Sequence, residues 1–212
     1  MFIRKKTLFW LFFIIFVGLL LRLYNLGKQS FWLDEAYSVM MAGDLNRLWF
    51  AQINDSTPPL YYSLLHFWMY SFGKTEFAVR LLSLIFGISL IPLVYLIGAK
   101  IFDKITGIYA SLLVAISPIH IYYSQEARMY SIMPLFSLAS FYLLYICIIR
   151  GRRVYWIAYT ITTILCLYTH NYGIFLLISE MCFFIFYRIK KRGILPKFTL
   201  SQMCIFIAYL PR

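Results

Sequence analysis

Two adjacent carboxylates, Asp34 and Glu35, follow the first long apolar run, in the stretch FWLDEAYSVMMAGDL. The chain has only eight acidic residues, so a pair beside an apolar segment calls for an explanation. A carboxylate near a low-dielectric surface can have a raised pKa and accept a proton from a hydroxyl, as a general base does. Alternatively, Asp34 caps a short helix and Glu35 interacts with the positive end of that helix. The two roles are compatible.

Two arginines have the chemistry of a phosphate site, and a third carboxylate lies close in sequence to one of them. Glu126 and Arg128 lie between two apolar runs, in YSQEARMYSI. They form either an ion pair with each other or an anion site, because a guanidinium can bind phosphate oxygens in bidentate fashion. Arg80 opens another apolar run, in EFAVRLLSLIFG. It is either a side chain that extends to the membrane interface or a second phosphate contact.

The histidines and cysteines give weaker signals. His170 lies in the predicted turn LYTHNYG, where it is either a turn residue or a substrate contact, and His66 and His120 receive no role. No group of residues has the spacing of a metal site, although a loop carboxylate could still join a divalent ion. The four cysteines lie far apart in apolar runs and are interpreted as small buried side chains; they are Cys147, Cys166, Cys182 and Cys204.

The elements that must position these residues are membrane helices. The chain is 62% hydrophobic and 20% aromatic, with a mean hydropathy of +0.77. Its long apolar runs do not alternate as barrel strands do, so we predict an all-α polytopic membrane protein. The first run has no cleavage site after it and is interpreted as a retained helix. Seven spans are expected, at 7–24, 80–99, 105–122, 130–149, 154–169, 174–187 and 198–210.

The distribution of charge predicts the topology. If the run 58–72 does not cross the bilayer, most lysines and arginines fall on one side, which the positive-inside rule identifies as cytoplasmic. The run 58–72 is therefore predicted to be an interfacial or re-entrant helix within a first outer loop at 25–79. Six acids then collect on the outer side, and they are Asp34, Glu35, Asp44, Asp55, Glu76 and Glu126.

The motifs FWLDEAYSV, TPPLYYSLLHFW, EFAVRLLSLIFG, YSQEARMYSI and LYTHNYG, in this order, resemble the glycosyltransferase family 39 or protein mannosyltransferase-like group, of GT-C type. The resemblance implies a polyprenyl-phosphate-linked sugar as donor and an acceptor hydroxyl on the outer face. It makes Asp34 the catalytic base, assisted by Glu35, and sets Arg80 and Arg128 against the donor phosphate. The same motifs contain the other substrate-binding candidates, which are Glu126, Tyr130, His170 and Tyr61. No cofactor is firmly implied.

The chain departs from the family pattern in two ways. Many relatives carry His or Lys where this chain has Thr57, and they are longer. We therefore interpret residues 1–212 as a single N-terminal GT-C-like module whose C-terminal module is absent. The alternative is a truncated, non-catalytic remnant or a lipid-binding subunit that needs a partner chain to supply the missing helices. A transporter is disfavoured because Glu180 is the only acid expected at mid-membrane depth.

The resemblance and the charge pattern together predict a location and a set of partners. We expect a multi-pass protein of the plasma membrane with a cytoplasmic N-terminus and an outward-facing active site. Its expected partners are membrane lipid and the polyprenyl-phosphate sugar donor. The net charge of +12 is attributed to topology and not to nucleic acid.

Overall fold

The structure is a computed structural model of the chain, and it describes residues 2–44, 46, 58–188 and 193–210. Every regular element in these residues is a helix, which confirms the all-α prediction. The helices are α1 (Phe2–Leu23), α2 (Leu33–Ala42), α3 (Leu60–Phe72), α4 (Glu76–Ile101), α5 (Lys104–Ile116), α6 (Pro118–Ser124), α7 (Ile132–Arg150), α8 (Arg153–Leu167), α9 (Gly173–Arg188) and α10 (Leu195–Tyr209).

Three of the described helices are long and apolar enough to cross a bilayer, namely Lys6–Leu23 in α1, α4 and α7. The bent pair α5 and α6 makes a fourth if it is counted as one span. Helices α8, α9 and α10 occupy the last three expected spans, but they have only 15 or 16 residues. About 20 residues are needed for an untilted crossing. The expected number of seven spans therefore exceeds the three or four that length and composition support.

The expected span 105–122 is not one continuous helix. It consists of α5 and α6, which meet at a bend of 60°. Pro118 lacks a backbone N–H and disfavours a helical conformation in the residue before it. Accordingly, Ser117 is extended (φ −62°, ψ 118°), and its side chain accepts a hydrogen bond from the backbone N–H of His120 as α6 begins.

Arg22 satisfies the carbonyl groups that this bend leaves open. The last carbonyls of a helix have no partner within the helix. Here Nη1 of Arg22 donates to the carbonyl of Ala115 at 2.9 Å, and Nη2 donates to that of Val114 at 3.1 Å. Nε donates to Ser124 Oγ at 3.2 Å, and Nη2 lies 2.7 Å from Nδ1 of His120. Arg22 is fully buried, and it links α1 to both halves of the broken helix.

The chain divides into two compact units. Unit 1 contains Met1–Trp49 and Tyr61–Leu135, and unit 2 contains Phe50–Leu60 and Phe136–Arg212. In unit 1, α4 and α5 approach closely through Gly98 and Gly107, since a Cβ atom added to Gly98 would lie 2.8 Å from the Cα atom of Gly107. In unit 2, the stacked rings of Phe184 and Phe198, 3.8 Å apart, lie in an apolar core.

Candidate functional site

The carboxylates of Asp34 and Glu35 both lie in the first turn of α2. Trp32 occupies the N-cap position of α2. The alternative expectation that Asp34 caps this helix is therefore wrong. Glu35 does interact with the start of the helix, because its Oε2 accepts a hydrogen bond from the backbone N–H of Trp32 at 3.4 Å. Successive helical residues point about 100° apart, so the two carboxylates have different surroundings.

Glu35 forms a buried ion pair with Arg80 of α4. Nε of Arg80 donates to Oε1 at 2.8 Å, and Nη2 donates to Oε2 at 2.6 Å, a bidentate geometry. The backbone N–H of Ala127 also donates to Oε1, at 2.9 Å. Glu35 and Arg80 are only 1% and 5% exposed. The Glu35 carboxylate therefore joins α2, α4 and the segment that follows α6.

Arg80 has no donor left for a phosphate in this conformation. Besides Glu35, its guanidinium donates to three backbone carbonyls between α1 and α2, which are those of Leu26 (2.9 Å), Gln29 (2.8 Å) and Ser30 (3.3 Å). These contacts use all five N–H groups of an arginine. The geometry therefore gives Arg80 a positioning role. Its expected contact with the donor phosphate remains a prediction that would require these bonds to open.

Asp34 is in the opposite situation. Its side chain is half-buried, and its carboxylate makes no hydrogen bond to any of the described residues. Only its backbone carbonyl is engaged, by Nη1 of Arg128 at 3.3 Å and by Ser38 Oγ at 3.0 Å. The neighbouring ion pair thus fixes the helix turn, while the Asp34 carboxylate keeps its oxygens available.

Arg128 has an unused donor close to Asp34. Its Nη1 reaches the Asp34 carbonyl and, at 3.4 Å, Ser38 Oγ. Its Nε is buried and has no partner among the described residues. The guanidinium carbon lies 5.8 Å from the centre of the Tyr130 ring, a cation–π distance. Arg128 is therefore the better of the two arginines for an additional anionic group.

Glu126 borders a cavity of about 230 Å³ in unit 1, which Glu35 and Arg80 also line. Glu126 is 5% exposed, and its Oε2 has no hydrogen-bond partner among the described residues. Burial raises the pKa of this carboxyl, although the Tyr122 hydroxyl bonded to it acts in the opposite direction. The ion pairs among the described residues do not include one between Glu126 and Arg128. The expected ion pair between these two side chains is therefore not formed.

Tyr61 is connected to Arg128 through Ser83. Its hydroxyl is 2.8 Å from Ser83 Oγ, and Ser83 donates to the Arg128 carbonyl at 3.2 Å. Tyr61 is fully buried, and burial raises the pKa of its hydroxyl. These contacts favour a supporting role, and substrate contact by Tyr61 remains a prediction.

His170 belongs to unit 2, in the turn between α8 and α9. Its Nδ1 accepts a hydrogen bond from the backbone N–H of Tyr172 at 3.1 Å, and the two rings are 4.6 Å apart. These contacts are those of a turn residue, and substrate contact remains a prediction. Asp55 and Thr57 lie outside the described residues. Within the described part of the chain, no three His, Cys, Asp or Glu side chains form a group that could hold a metal ion.

Sequence reasoning missed the residues that join distant segments. Ser38, Arg22 and the backbone N–H of Ala127 were not identified. A signal existed for Arg22, because an arginine at the edge of a span is expensive unless acceptors surround it. No local pattern identifies Ala127, which contributes only a backbone group.

A comparison with known protein families identifies the family to which the chain belongs. The family model described as dolichyl-phosphate-mannose-protein mannosyltransferase matches residues 56–211, well over half of the chain. The chain belongs to this family. The resemblance inferred from the motifs is therefore confirmed, and the protein is, at this general level, a membrane glycosyltransferase of the GT-C type.

The matched range of the mannosyltransferase family includes Arg80, Arg128 and His170 but begins after α2. The assignment of Asp34 and Glu35 therefore depends on the motif resemblance and on the contacts described above. No curated protein and no solved structure matches the chain.

Proposed function

We propose that the protein transfers a sugar from a polyprenyl-phosphate donor to an acceptor hydroxyl, with Asp34 as the general base. One observation carries the proposal. The carboxylate of Asp34 makes no hydrogen bond to the described residues, yet it directly precedes Glu35, whose carboxylate is fixed by Arg80 and Ala127. A base must keep its oxygens accessible while its backbone is held still.

The proposed reaction is a single displacement at the anomeric carbon. The acceptor oxygen attacks this carbon, and the bond from the carbon to the phosphate oxygen breaks. Asp34 takes the proton of the acceptor hydroxyl, and the lipid phosphate leaves with the electron pair of the broken bond. Arg128 stabilises the negative charge that grows on the phosphate, because its half-buried guanidinium lies beside Asp34 and a fixed cation favours charge that develops in the transition state.

The remaining site residues would support these two. Arg80 and Glu35 hold α2 against α4, and Tyr61 supports the segment of Arg128 through Ser83. Glu126 would supply a polar wall to the adjacent cavity. The charge pattern supports a cytoplasmic N-terminus and a site on the outer face, and we expect the membrane to be the plasma membrane.

The test is sugar transfer from a labelled polyprenyl-phosphate sugar in membranes, with wild type and Asp34→Asn at equal expression. We expect the variant to lose roughly 10²–10⁴-fold in rate, the usual effect of a positioned base. Asp44→Asn is the matched control, since it makes the same chemical change just beyond α2, where Asp44 accepts a hydrogen bond from the backbone N–H of Asn46.

Equal rates for wild type and Asp34→Asn would refute the role of Asp34. Transfer by neither protein, with the labelled donor still bound, would favour the alternative of a lipid-binding subunit that needs a partner chain.

A further inference from the structure

Unit 2 carries an apolar groove between α8 and α10, with a volume of about 460 Å³. Its walls are mostly apolar, and they include the side chains of Ile157, Ile161, Leu200 and Cys204. Ile157, Ile161 and Leu200 are each more than half exposed. An acyl chain can pack against these side chains, but they do not distinguish one lipid from another.

One end of this groove is cationic. Arg153 and Lys197 both line it, and each lies in the first turn of its helix, Arg153 in α8 and Lys197 in α10. Nζ of Lys197 donates to the carbonyl of Gly151 at 2.7 Å, which holds the ammonium group over the turn between α7 and α8. The Arg153 side chain has no hydrogen bond or ion pair to the described residues. Two helix N-termini add positive potential at the same end.

A buried polar group lies one helical turn further along. Trp156 lines the groove and is only 4% exposed, and its indole N–H has no acceptor among the described residues. Three residues of helix separate Trp156 from Arg153, a rise of about 4.5 Å. Phosphate, then ester carbonyls, then acyl chain is the order of groups along a phospholipid. Along this groove the cations come first and the aliphatic side chains follow, which matches the phosphate and the acyl chain of such a lipid. The indole N–H of Trp156 has no exposed surface and is not part of this order.

We propose that the groove between α8 and α10 binds a phospholipid with an anionic headgroup. Its phosphate lies between Arg153 and Lys197, and an acyl chain covers Ile157 and Leu200. This site is distinct from the cavity beside Glu126 and does not depend on the proposed transfer reaction.

A second groove, in unit 1, shows the same arrangement. The groove between α1 and α5 has a volume of about 490 Å³, and Lys6 and Lys104 line it beside Trp10 and apolar side chains. Both lysines lie near the N-terminal ends of their helices. Because a paired cationic end recurs in a separate unit, a readout specific to the α8–α10 groove is needed.

The cysteines provide that readout. Cys204 lines the groove and is exposed, whereas Cys182, on α9, is exposed and does not line it. The expectation of four buried cysteines is therefore wrong for these two. The experiment measures the rate at which N-ethylmaleimide modifies each thiol in the detergent-purified full chain, by peptide mass spectrometry. Phosphatidylglycerol, phosphatidylcholine with the same acyl chains, or inorganic phosphate is added in increasing amounts. We expect phosphatidylglycerol to slow modification of Cys204 relative to Cys182 at lower concentrations than phosphatidylcholine, and inorganic phosphate to have no effect.

Charge variants test the headgroup contact. Each cation near an anionic headgroup contributes about a fivefold factor in affinity, so Arg153→Gln with Lys197→Gln should weaken protection by phosphatidylglycerol roughly 30-fold. Arg152→Gln removes the same charge one residue away, outside the groove lining, and should change little. Arg153→Lys with Lys197→Arg keeps both charges and should retain the preference, which separates a loss of charge from misfolding.

Three results would overturn the proposal. Equal protection by the two lipids would show that the groove takes bulk lipid, and equal protection of Cys204 and Cys182 would place the lipid elsewhere. Unchanged protection in the double glutamine variant would remove Arg153 and Lys197 from the site.

Discussion

The carboxylate of Glu35 and the guanidinium of Arg80 form a buried bidentate ion pair at 2.6 and 2.8 Å, across 45 residues of sequence. The remaining Arg80 donors bind the carbonyls of Leu26, Gln29 and Ser30. This one side chain therefore holds the start of α2 and the connection from α1 to α2 against α4. Glu35 and Asp34 are neighbours, yet the carboxylate of Glu35 fixes the backbone, and that of Asp34 makes no hydrogen bond to the described residues.

Removing one partner of this pair should destabilise unit 1 strongly. Glu35→Gln leaves Arg80 as an uncompensated buried charge, and such losses typically cost about 3–5 kcal/mol. Thermal unfolding in detergent, followed by circular dichroism, measures the effect. Asp34→Asn is the matched control, and it should cost less than about 1 kcal/mol because no described hydrogen bond of its carboxylate is lost. Similar melting temperatures for wild type and Glu35→Gln would contradict the anchoring role.

Arg22 should be equally sensitive. Arg22→Leu leaves the carbonyls of Val114 and Ala115 without their donor at the bend, and an unsatisfied buried polar group costs about 1–3 kcal/mol. We expect a total loss of roughly 3 kcal/mol or more in thermal unfolding. The control is Arg150→Gln, at an exposed helix end where Nη1 donates to the Tyr155 hydroxyl, and it should cost less than about 1 kcal/mol. Equal losses in the two variants would show that Arg22 does not support the bend.

The positions of the helices could be predicted because apolar runs of sufficient length mark them directly. The bend at Pro118 was not predicted, because the expected span 105–122 was based on apolar length alone. Arg22 and Arg80 both lie at the edges of apolar runs, where a cation usually extends to the interface. Their burial depends on carbonyls and a carboxylate from other segments. A single sequence contains no local pattern for such contacts. Arg80 was expected at the phosphate because the family resemblance set it there.

Glu126 gives a prediction about pH. Burial raises its pKa in the folded protein, so the folded state favours the protonated carboxyl. Its stabilising contribution is complete below the unfolded-state pKa and is lost as the pH rises through the folded-state pKa. Glu126→Gln should therefore raise the melting temperature at neutral pH and have little effect in acid. Melting curves at several pH values measure this. A variant that is less stable at neutral pH than wild type would contradict the prediction.

Glu180 lies in a buried polar network of unit 2 that contains too few hydroxyl protons. Thr163 donates to the Tyr159 carbonyl at 2.8 Å, Ser140 and Thr163 are 2.6 Å apart, and Ser140 lies 2.6 Å from Oε1 of Glu180. These three contacts share two hydroxyl protons. The Tyr159 hydroxyl donates separately to Oε2 of Glu180, at 2.9 Å. A proton on Glu180 would supply the third donor, and we therefore expect Glu180 to be a neutral carboxylic acid.

A neutral Glu180 can be replaced by an amide with little loss. In Glu180→Gln, the amide N–H can donate to Ser140 and the amide oxygen can accept from Tyr159, so every contact in the network keeps a proton. We expect its melting temperature to stay within a few degrees of wild type. Glu180→Leu has similar volume but leaves Ser140 and Tyr159 without their partner, which should cost roughly 2–4 kcal/mol. If Gln and Leu were equally destabilising, Glu180 would instead be ionised, and a proton would have to be missing from one of the short hydroxyl contacts.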